Sequence, residues 1–138
     1  MKRPSKELLV KLDEELVEEL LEAARLTHPK EFILLLRGEE RNSGGFLEIK
    51  VRDYLVPPLA SLGKASAIFR LSLIPADPDI VGTVHSHPSG SKLPSREDLE
   101  NFIGHFIAIV AYPYRDERDL VAYDARGREV RVEVEASP

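Results

Sequence analysis

The sequence predicts one α/β domain over residues 1–138, with a mixed central β-sheet of six to eight strands packed by two principal helices. Short apolar segments separated by turn residues recur along the chain, and two further segments have helical spacing. Several connections between the predicted strands are too short for a crossover helix, so strands of mixed direction are expected. A chain of 138 residues has the length of one domain and can bury a core without disulfides.

The N-terminal half combines strand patterns with one helix pattern. ELLVKL predicts a first strand, and DEELVEELLEAARLT predicts a helix that has Asp13 as its N-cap and ends at His28 and Pro29. EFILLLRG, which begins at Glu31, predicts a buried strand. EERNSGG predicts a polar turn, and FLEIKVRDYLV then alternates as a half-buried strand does.

The C-terminal half predicts further strands and the second helix. PPLASLGKA is expected to be a loop, SAIFRLSLIP a strand, and ADPD a turn before the strand IVGTVHSH. SREDLENFIG predicts a helix that ends before Gly104. FIAIVAY, LVAYDA and EVRVEVE predict three closing strands.

Composition and charge narrow the classes of protein. The absence of cysteine excludes disulfides, thiol catalysis and cysteine-ligated zinc, and it is compatible with the reducing cytoplasm where we expect the protein. A net charge of -5 disfavours nucleic acid as a partner. No apolar run approaches the ~18 residues that span a bilayer, and acidic residues interrupt the N-terminal leucines, so neither a membrane span nor a signal peptide is expected. The absence of glutamine beside 31% charged residues favours a thermophilic source.

The stretch VGTVHSHPSGSKLPSREDLENF carries the candidate site. Strand side chains alternate faces, so His85 and His87 point to the same side. The loop after Pro88 can fold back, and Asp98 lies about one turn into the following helix. Two imidazoles and one carboxylate with an open fourth position are typical of catalytic zinc. A structural interpretation stands beside this one, because Ser95 is also a favoured N-cap and an acid suits the first turn.

The ordered string HSHPSGSKLPSRED resembles the signature of the JAMM metalloproteases, the zinc-dependent members of the MPN domain family. Glu31, in HPKEFILLLRG, stands where that family has an upstream glutamate at the start of a strand. The resemblance covers essentially the whole chain and implies a cytidine-deaminase-like fold. It implies that His85, His87 and Asp98 bind one zinc ion with a water in the fourth position. It also implies that Glu31 is the general base and that Ser95 donates a hydrogen bond to the oxyanion.

The resemblance further implies an isopeptidase that removes ubiquitin-like modifiers from lysines. The substrates of the family end in a flexible Gly-Gly tail, and glycine lets the backbone run close to a metal. Small archaeal modifiers or sulfur-carrier conjugates are the natural substrates if the source is a thermophilic archaeon. We therefore expect a ubiquitin-like protein as partner, with neither nucleic acid nor membrane, and we leave a homodimer open.

Two other functions stay open as alternatives. The RadC family, which has been linked to DNA repair, carries a very similar string, and HPSG and PSRED fit it well. Many MPN domains are non-catalytic scaffolds that have lost the metal ligands, whereas every ligand position is filled here. The remaining histidines, His28 and His105, are expected to lie at a helix end and at a helix-strand turn. The loop YPYRDERD is a weaker candidate for a partner contact.

Overall fold

The computed structural model of the chain describes residues 7–57 and 77–138. Within these ranges the chain forms seven strands and two α-helices. The strands are β1 (Glu7–Asp13), β2 (Ile33–Ser43), β3 (Phe46–Leu55), β4 (Ile80–His87), β5 (Phe106–Ala111), β6 (Leu120–Tyr123) and β7 (Glu129–Glu135). The helices are α1 (Glu14–Thr27) and α2 (Arg96–Glu100). The predicted loop PPLASLGKA after Pro57 and the predicted strand SAIFRLSLIP lie outside the described residues.

The seven strands close into a barrel in the order β1-β3-β2-β4-β5-β6-β7. The β1–β3, β1–β7 and β4–β5 pairs are parallel, and the other pairs are antiparallel. The expected mixture of strand directions is therefore confirmed. The predicted likeness to cytidine deaminases stays a prediction.

Helix α1 forms where its sequence has both a cap and an apolar stripe. The Asp13 side chain accepts a hydrogen bond from the Leu16 backbone N–H at 2.7 Å, which satisfies one of the free donors of the first turn. Its core-facing residues recur at helical spacing and are all buried: Leu16, Val17, Leu20, Leu21 and Ala24. At the other end the His28 N–H donates to the Ala24 carbonyl, so the predicted helix end at His28 is confirmed. No helix among the described residues is long and apolar enough to cross a membrane.

Strand β2 is longer than the sequence predicted. EERNSGG was expected to be a turn, but Glu39 to Ser43 continue the strand and pair with β3, and only Gly44 and Gly45 form the connection. Charged residues are tolerated there because their side chains lie at the surface while the backbone completes its ladder. Gly44 has φ of 60°, which a two-residue hairpin connection favours and which glycine adopts without strain.

Helix α2 is shorter than predicted, so the second principal helix is a single five-residue turn. The helix ends at Asn101 because the segment that follows it makes a hydrogen bond to the backbone of β4. The His105 N–H donates to the Val81 carbonyl at 2.7 Å. Gly104 has φ of 77°, and a Cβ there would overlap that same carbonyl. A helix continued to residue 103 would not bring these two residues to the strand.

Strands β4 and β5 are almost entirely buried and position the candidate site. Every residue of β5 and all but the first of β4 are buried. Since β4 and β5 are parallel, their carboxyl ends lie at the same end of the barrel, and β2 begins at that end because it is antiparallel to β4. Residues at the start of β2 and the end of β4 therefore meet.

Candidate metal and catalytic site

The pairing of β2 with β4 brings Glu31 to the second histidine. Ile33 pairs with His85, and the Phe32 N–H donates to the Ser86 hydroxyl at 2.8 Å while the Ser86 N–H donates to the Phe32 carbonyl at 3.1 Å. This register carries Glu31 opposite His87, where Glu31 Oε1 lies 3.7 Å from His87 Nε2. The contact of Ser86 with both backbone groups of Phe32 thus holds the start of β2 in place.

The carboxylate of Asp98 lies between the two imidazoles. Asp98 Oδ1 is 3.2 Å from His85 Nδ1, and Asp98 Oδ2 is 3.0 Å from His87 Nε2. All three side chains are buried, with 4% of His85, 7% of His87 and 8% of Asp98 exposed. Buried polar side chains need hydrogen-bond partners, and each of these three has a partner among the other two.

The start of α2 fixes Asp98. The Ser95 hydroxyl accepts from the Asp98 N–H at 3.0 Å, and the Asp98 carboxylate accepts from the Ser95 N–H at 2.8 Å. This reciprocal pair is a capping box, which determines the side-chain direction of Asp98 as well as the beginning of the helix. The structural interpretation of Ser95 and Asp98 is therefore confirmed, and it is compatible with a metal-binding role because Asp98 still faces both histidines.

A hydrogen bond to a backbone carbonyl fixes the orientation of the His87 ring. Its Nδ1 lies 2.9 Å from the Ser91 carbonyl, which can only accept, so Nδ1 carries a hydrogen and Nε2 faces Asp98 and Glu31. A ligating histidine commonly donates its second ring N–H to such a carbonyl, which leaves the other nitrogen for the metal.

The electrostatics of the site follow from burial and from these contacts. Burial raises the pKa of Glu31 above its usual range, although the neighbouring His87 opposes the change. Burial also disfavours the charge on His87, but hydrogen bonds to Asp98 and to the Ser91 carbonyl outweigh it and raise its pKa. Burial likewise acts against the ionised form of Asp98, but the hydrogen bonds from the two histidines hold its pKa well below the ordinary value.

The donor set fits zinc. Glu31, His87 and Asp98 each offer one donor atom, and these atoms lie within 4.8 Å of one another. His85 adjoins this group through its contact with Asp98. Imidazole nitrogens and carboxylate oxygens are the ligands that zinc uses in catalytic sites that lack cysteine. The structure thus brings together all four residues that the sequence singled out around the metal, with Ser95 at the helix start beside them. The assignment of a role to each residue stays a prediction.

The other two histidines lie elsewhere and have partners. His28 Nδ1 is 3.0 Å from the Tyr114 hydroxyl, and the His28 ring stacks on Tyr112 with 4.8 Å between centroids. His105 Nε2 is 2.6 Å from Glu40 Oε1, just before β5 begins. His105 was expected to be a satisfied polar residue at a turn, and this is confirmed.

Two contributors to the site were missed from the sequence. Ser86, between the two histidines, and Ser91, in the loop after Pro88, were not among the predicted site residues. Ser86 acts through its hydroxyl on the backbone of β2, and Ser91 acts through its carbonyl, which every residue type has. Only the alternation of β4 could have indicated Ser86, because it requires the residue between the histidines to face the opposite side of the sheet.

A mixed barrel that joins a strand-borne His-x-His pair, a helix-start aspartate and an upstream glutamate defines a JAB/MPN-type domain. The family described as prokaryotic homologs of the JAB domain matches residues 13–126, and this chain belongs to it. The resemblance to the JAMM proteins of the MPN family is thereby confirmed.

Individual relatives agree with this assignment. A probable metalloprotease of Haloferax volcanii is 41% identical over 114 residues, which are 80% of this chain and 70% of the relative. A crystal structure of a Jab1/MPN domain protein from Archaeoglobus fulgidus superimposes with a TM-score of 0.63 at 34% identity, covering 91% of this chain and 98% of the other. A solved structure described as "JAMM: a metalloprotease-like zinc site in the proteasome and signalosome" gives a TM-score of 0.61 at 35% identity, covering 91% and 97%.

Proposed function

We propose that this protein is a zinc-dependent isopeptidase that releases ubiquitin-like modifiers from lysine or sulfur-carrier conjugates. The observation that carries the proposal is that Glu31, His85, His87 and Asp98 lie together at one end of the barrel, where the two histidines and Asp98 are buried. The similarity to a probable metalloprotease and to a structure described by a metalloprotease-like zinc site supports the same chemistry.

His85, His87 and Asp98 would hold the metal. Bound zinc supplies a water molecule of lowered pKa and an electrophile for the scissile carbonyl. The capping box around Asp98 and the Ser91 carbonyl behind His87 hold these ligands in place before a metal arrives. Such preparation favours binding, since little side-chain freedom remains to be lost.

Glu31 is the proposed general base. Its side chain is 41% exposed, whereas those of the two histidines and Asp98 are almost completely buried. Glu31 is therefore the site carboxylate that is accessible to solvent and to an incoming substrate. Partial burial raises the pKa of Glu31, and a more basic carboxylate takes a proton from the attacking water more readily. The same carboxyl group then passes that proton to the departing amine.

Ser95 is the proposed donor to the carbonyl oxygen of the scissile amide. Its Oγ already accepts from the Asp98 N–H, so its own hydrogen is the part of the hydroxyl that can be given to a substrate. Ser95 is exposed at the start of α2, beside a buried Asp98. A fixed donor at this place stabilises the negative charge that develops on oxygen during attack.

The recessed position of the ligands supports a thin substrate segment. His85, His87 and Asp98 are each less than 10% exposed, so the bond to be cut has to reach below the surface formed by the described residues. A tail of glycines can do so, because it has no Cβ to clash with the walls. The C-terminal Gly-Gly of a ubiquitin-like protein has this form.

The experiment is cleavage of a lysine-linked ubiquitin-like conjugate by zinc-loaded protein. Chelated protein and Glu31→Gln run beside it, and Glu39→Gln serves as a control because it alters an exposed glutamate that contacts Arg52 on β3. Cleavage by wild type and Glu39→Gln alone supports the proposal. Equal cleavage by Glu31→Gln contradicts the assigned base. No cleavage by protein that holds zinc contradicts the substrate class and directs the next test to the RadC-like alternative with nucleic acid.

A further inference from the structure

The loop at residues 88–94, which joins β4 to α2, is held from two sides. From one side, His87 Nδ1 donates to the Ser91 carbonyl at 2.9 Å. From the other side, the Tyr123 hydroxyl donates to the Lys92 carbonyl at 2.7 Å. Ser91 and Lys92 are neighbours, so one short piece of backbone receives a hydrogen bond from the candidate ligand and another from β6.

The side chain of Lys92 adds a second attachment. Its ammonium group donates to the Arg118 carbonyl at 2.8 Å and lies 3.5 Å from Asp119 Oδ1. Asp119 is 1% exposed, and Arg115 holds it through both a backbone and a side-chain hydrogen bond. The loop is thus tied to the segment that leads into β6 by its backbone and by a side chain.

Tyr123 is a rigid support. It is 5% exposed and packs with Ile107, Ile109 and Ala111 of β5, the strand that pairs with β4. Its ring is fixed by this packing, and its hydroxyl reaches out of the apolar cluster to the loop. A buried tyrosine hydroxyl needs a hydrogen-bond partner, and the partner here is the Lys92 carbonyl.

We propose that Tyr123, together with Lys92, is a positioning residue for the metal ligand His87. It fixes the loop whose Ser91 carbonyl sets the hydrogen on His87 Nδ1 and directs Nε2 into the site. The proposal rests on the metal-binding part of the proposed function. Outer partners of metal-bound histidines contribute to affinity because they hold the ring in its binding orientation. Without the Tyr123 contact the loop can move, and His87 loses part of that restraint.

The test is the zinc affinity of Tyr123→Phe, measured by competition with a chromophoric chelator well below the melting temperature of the metal-free protein. We expect affinity to fall about tenfold, at the lower end of the effect of outer partners. The visible absorption spectrum of the cobalt(II)-loaded protein should change with it. Lys92→Met should weaken binding in the same direction, and Lys92→Arg should restore most of it.

Matched controls separate positioning from general stability. Tyr54→Phe removes a tyrosine hydroxyl from β3, and Lys50→Met removes an ammonium group from an ion pair with Glu135. Both should keep the wild-type zinc affinity and cobalt spectrum. If Tyr123→Phe melts earlier but binds zinc as tightly as wild type, its role is only structural and the inference is wrong. If wild type binds no zinc, the proposed function itself fails, and the inference fails with it.

Discussion

Glu31 Oε1 lies 3.7 Å from His87 Nε2. The antiparallel pairing of β2 with β4, in which Ile33 is opposite His85, brings the two side chains together. This relationship places a partly exposed carboxylate against a buried candidate ligand. The proposed function gives these two neighbouring residues different tasks: His87 would hold the metal, and Glu31 would move protons.

Glu31→Gln should lower peptidase activity by about 10²–10⁴-fold, because the amide cannot take the proton from water. Its zinc affinity should stay close to that of wild type, although Glu31 lies within the group of potential donors. Activity and zinc affinity are measured on the same preparation. A parallel loss of both would mean that Glu31 is a ligand, and the assigned base would be wrong.

The two site histidines should differ from the other two in metal binding. His85→Ala and His87→Ala should each weaken zinc binding by more than about 100-fold, the upper range for outer partners, because each would remove a proposed ligand. His105→Ala is the matched control, since it breaks a contact with Glu40 away from the metal group. Zinc content after dialysis reports the result. Retention of a full equivalent of zinc by both site variants would contradict the ligand assignment.

Ser95 should show a structural effect and a chemical effect that can be separated. Ser95→Ala removes the N-cap and should cost about 1 kcal/mol of stability, whereas glycine at an N-cap costs only a few tenths relative to serine. Both variants lack the proposed donor to the carbonyl oxygen, so both should lose activity, by about 10²–10³-fold for a donor of this kind. Thermal melts and kcat measure the two effects. Near wild-type kcat in Ser95→Gly would leave Ser95 with the helix cap alone.

Asp119 should contribute stability that depends on pH. The hydrogen bond from Arg115 is the main cause that lowers the pKa of Asp119 below its ordinary value of 3.8. A carboxylate with a lowered folded pKa stabilises the fold at pH values above its unfolded pKa, and this contribution disappears as the pH falls through the folded pKa. Asp119→Asn should therefore be less stable than wild type at pH 6–7, and the difference should begin to shrink near pH 4 and disappear only at pH values below the lowered folded pKa. Denaturant melts at several pH values measure the difference. A constant difference down to acid pH would show that the charge of Asp119 is not the source.

Most of the described strands and the candidate site residues could be picked out from the sequence, because both leave patterns of residue type, and the roles of the site residues stay predictions. Alternation placed His85 and His87 on one face, and the Ser95 and Asp98 spacing indicated a helix start that the capping box confirms. The length of β2 was missed, since exposed strand residues such as Glu39 and Arg41 resemble a turn when only their polarity is considered. The early end of α2 was missed because it depends on a contact between distant residues, His105 and Val81.

Neither the closure of the barrel nor the hydrogen bonds that hold the loop next to His87 could be predicted from the sequence. Closure requires β7 to pair with β1, and these strands are separated by nearly the whole chain. The hydrogen bonds to the Ser91 and Lys92 carbonyls involve backbone atoms, which leave no signal in residue type. In the sequence Tyr123 therefore resembles any other strand residue, and only the hydrogen bond from its hydroxyl to the Lys92 carbonyl distinguishes it.

The most direct test of the account is to titrate zinc into metal-free wild-type protein and follow cleavage of a lysine-linked ubiquitin-like conjugate at each step. We expect activity that rises in proportion to zinc and stops rising at one equivalent per chain, with no activity in the metal-free sample. Protein that binds one equivalent of zinc and stays inactive would contradict the isopeptidase. Protein that is active without zinc, or folded and unable to bind it, would contradict the metal site on which the whole account depends.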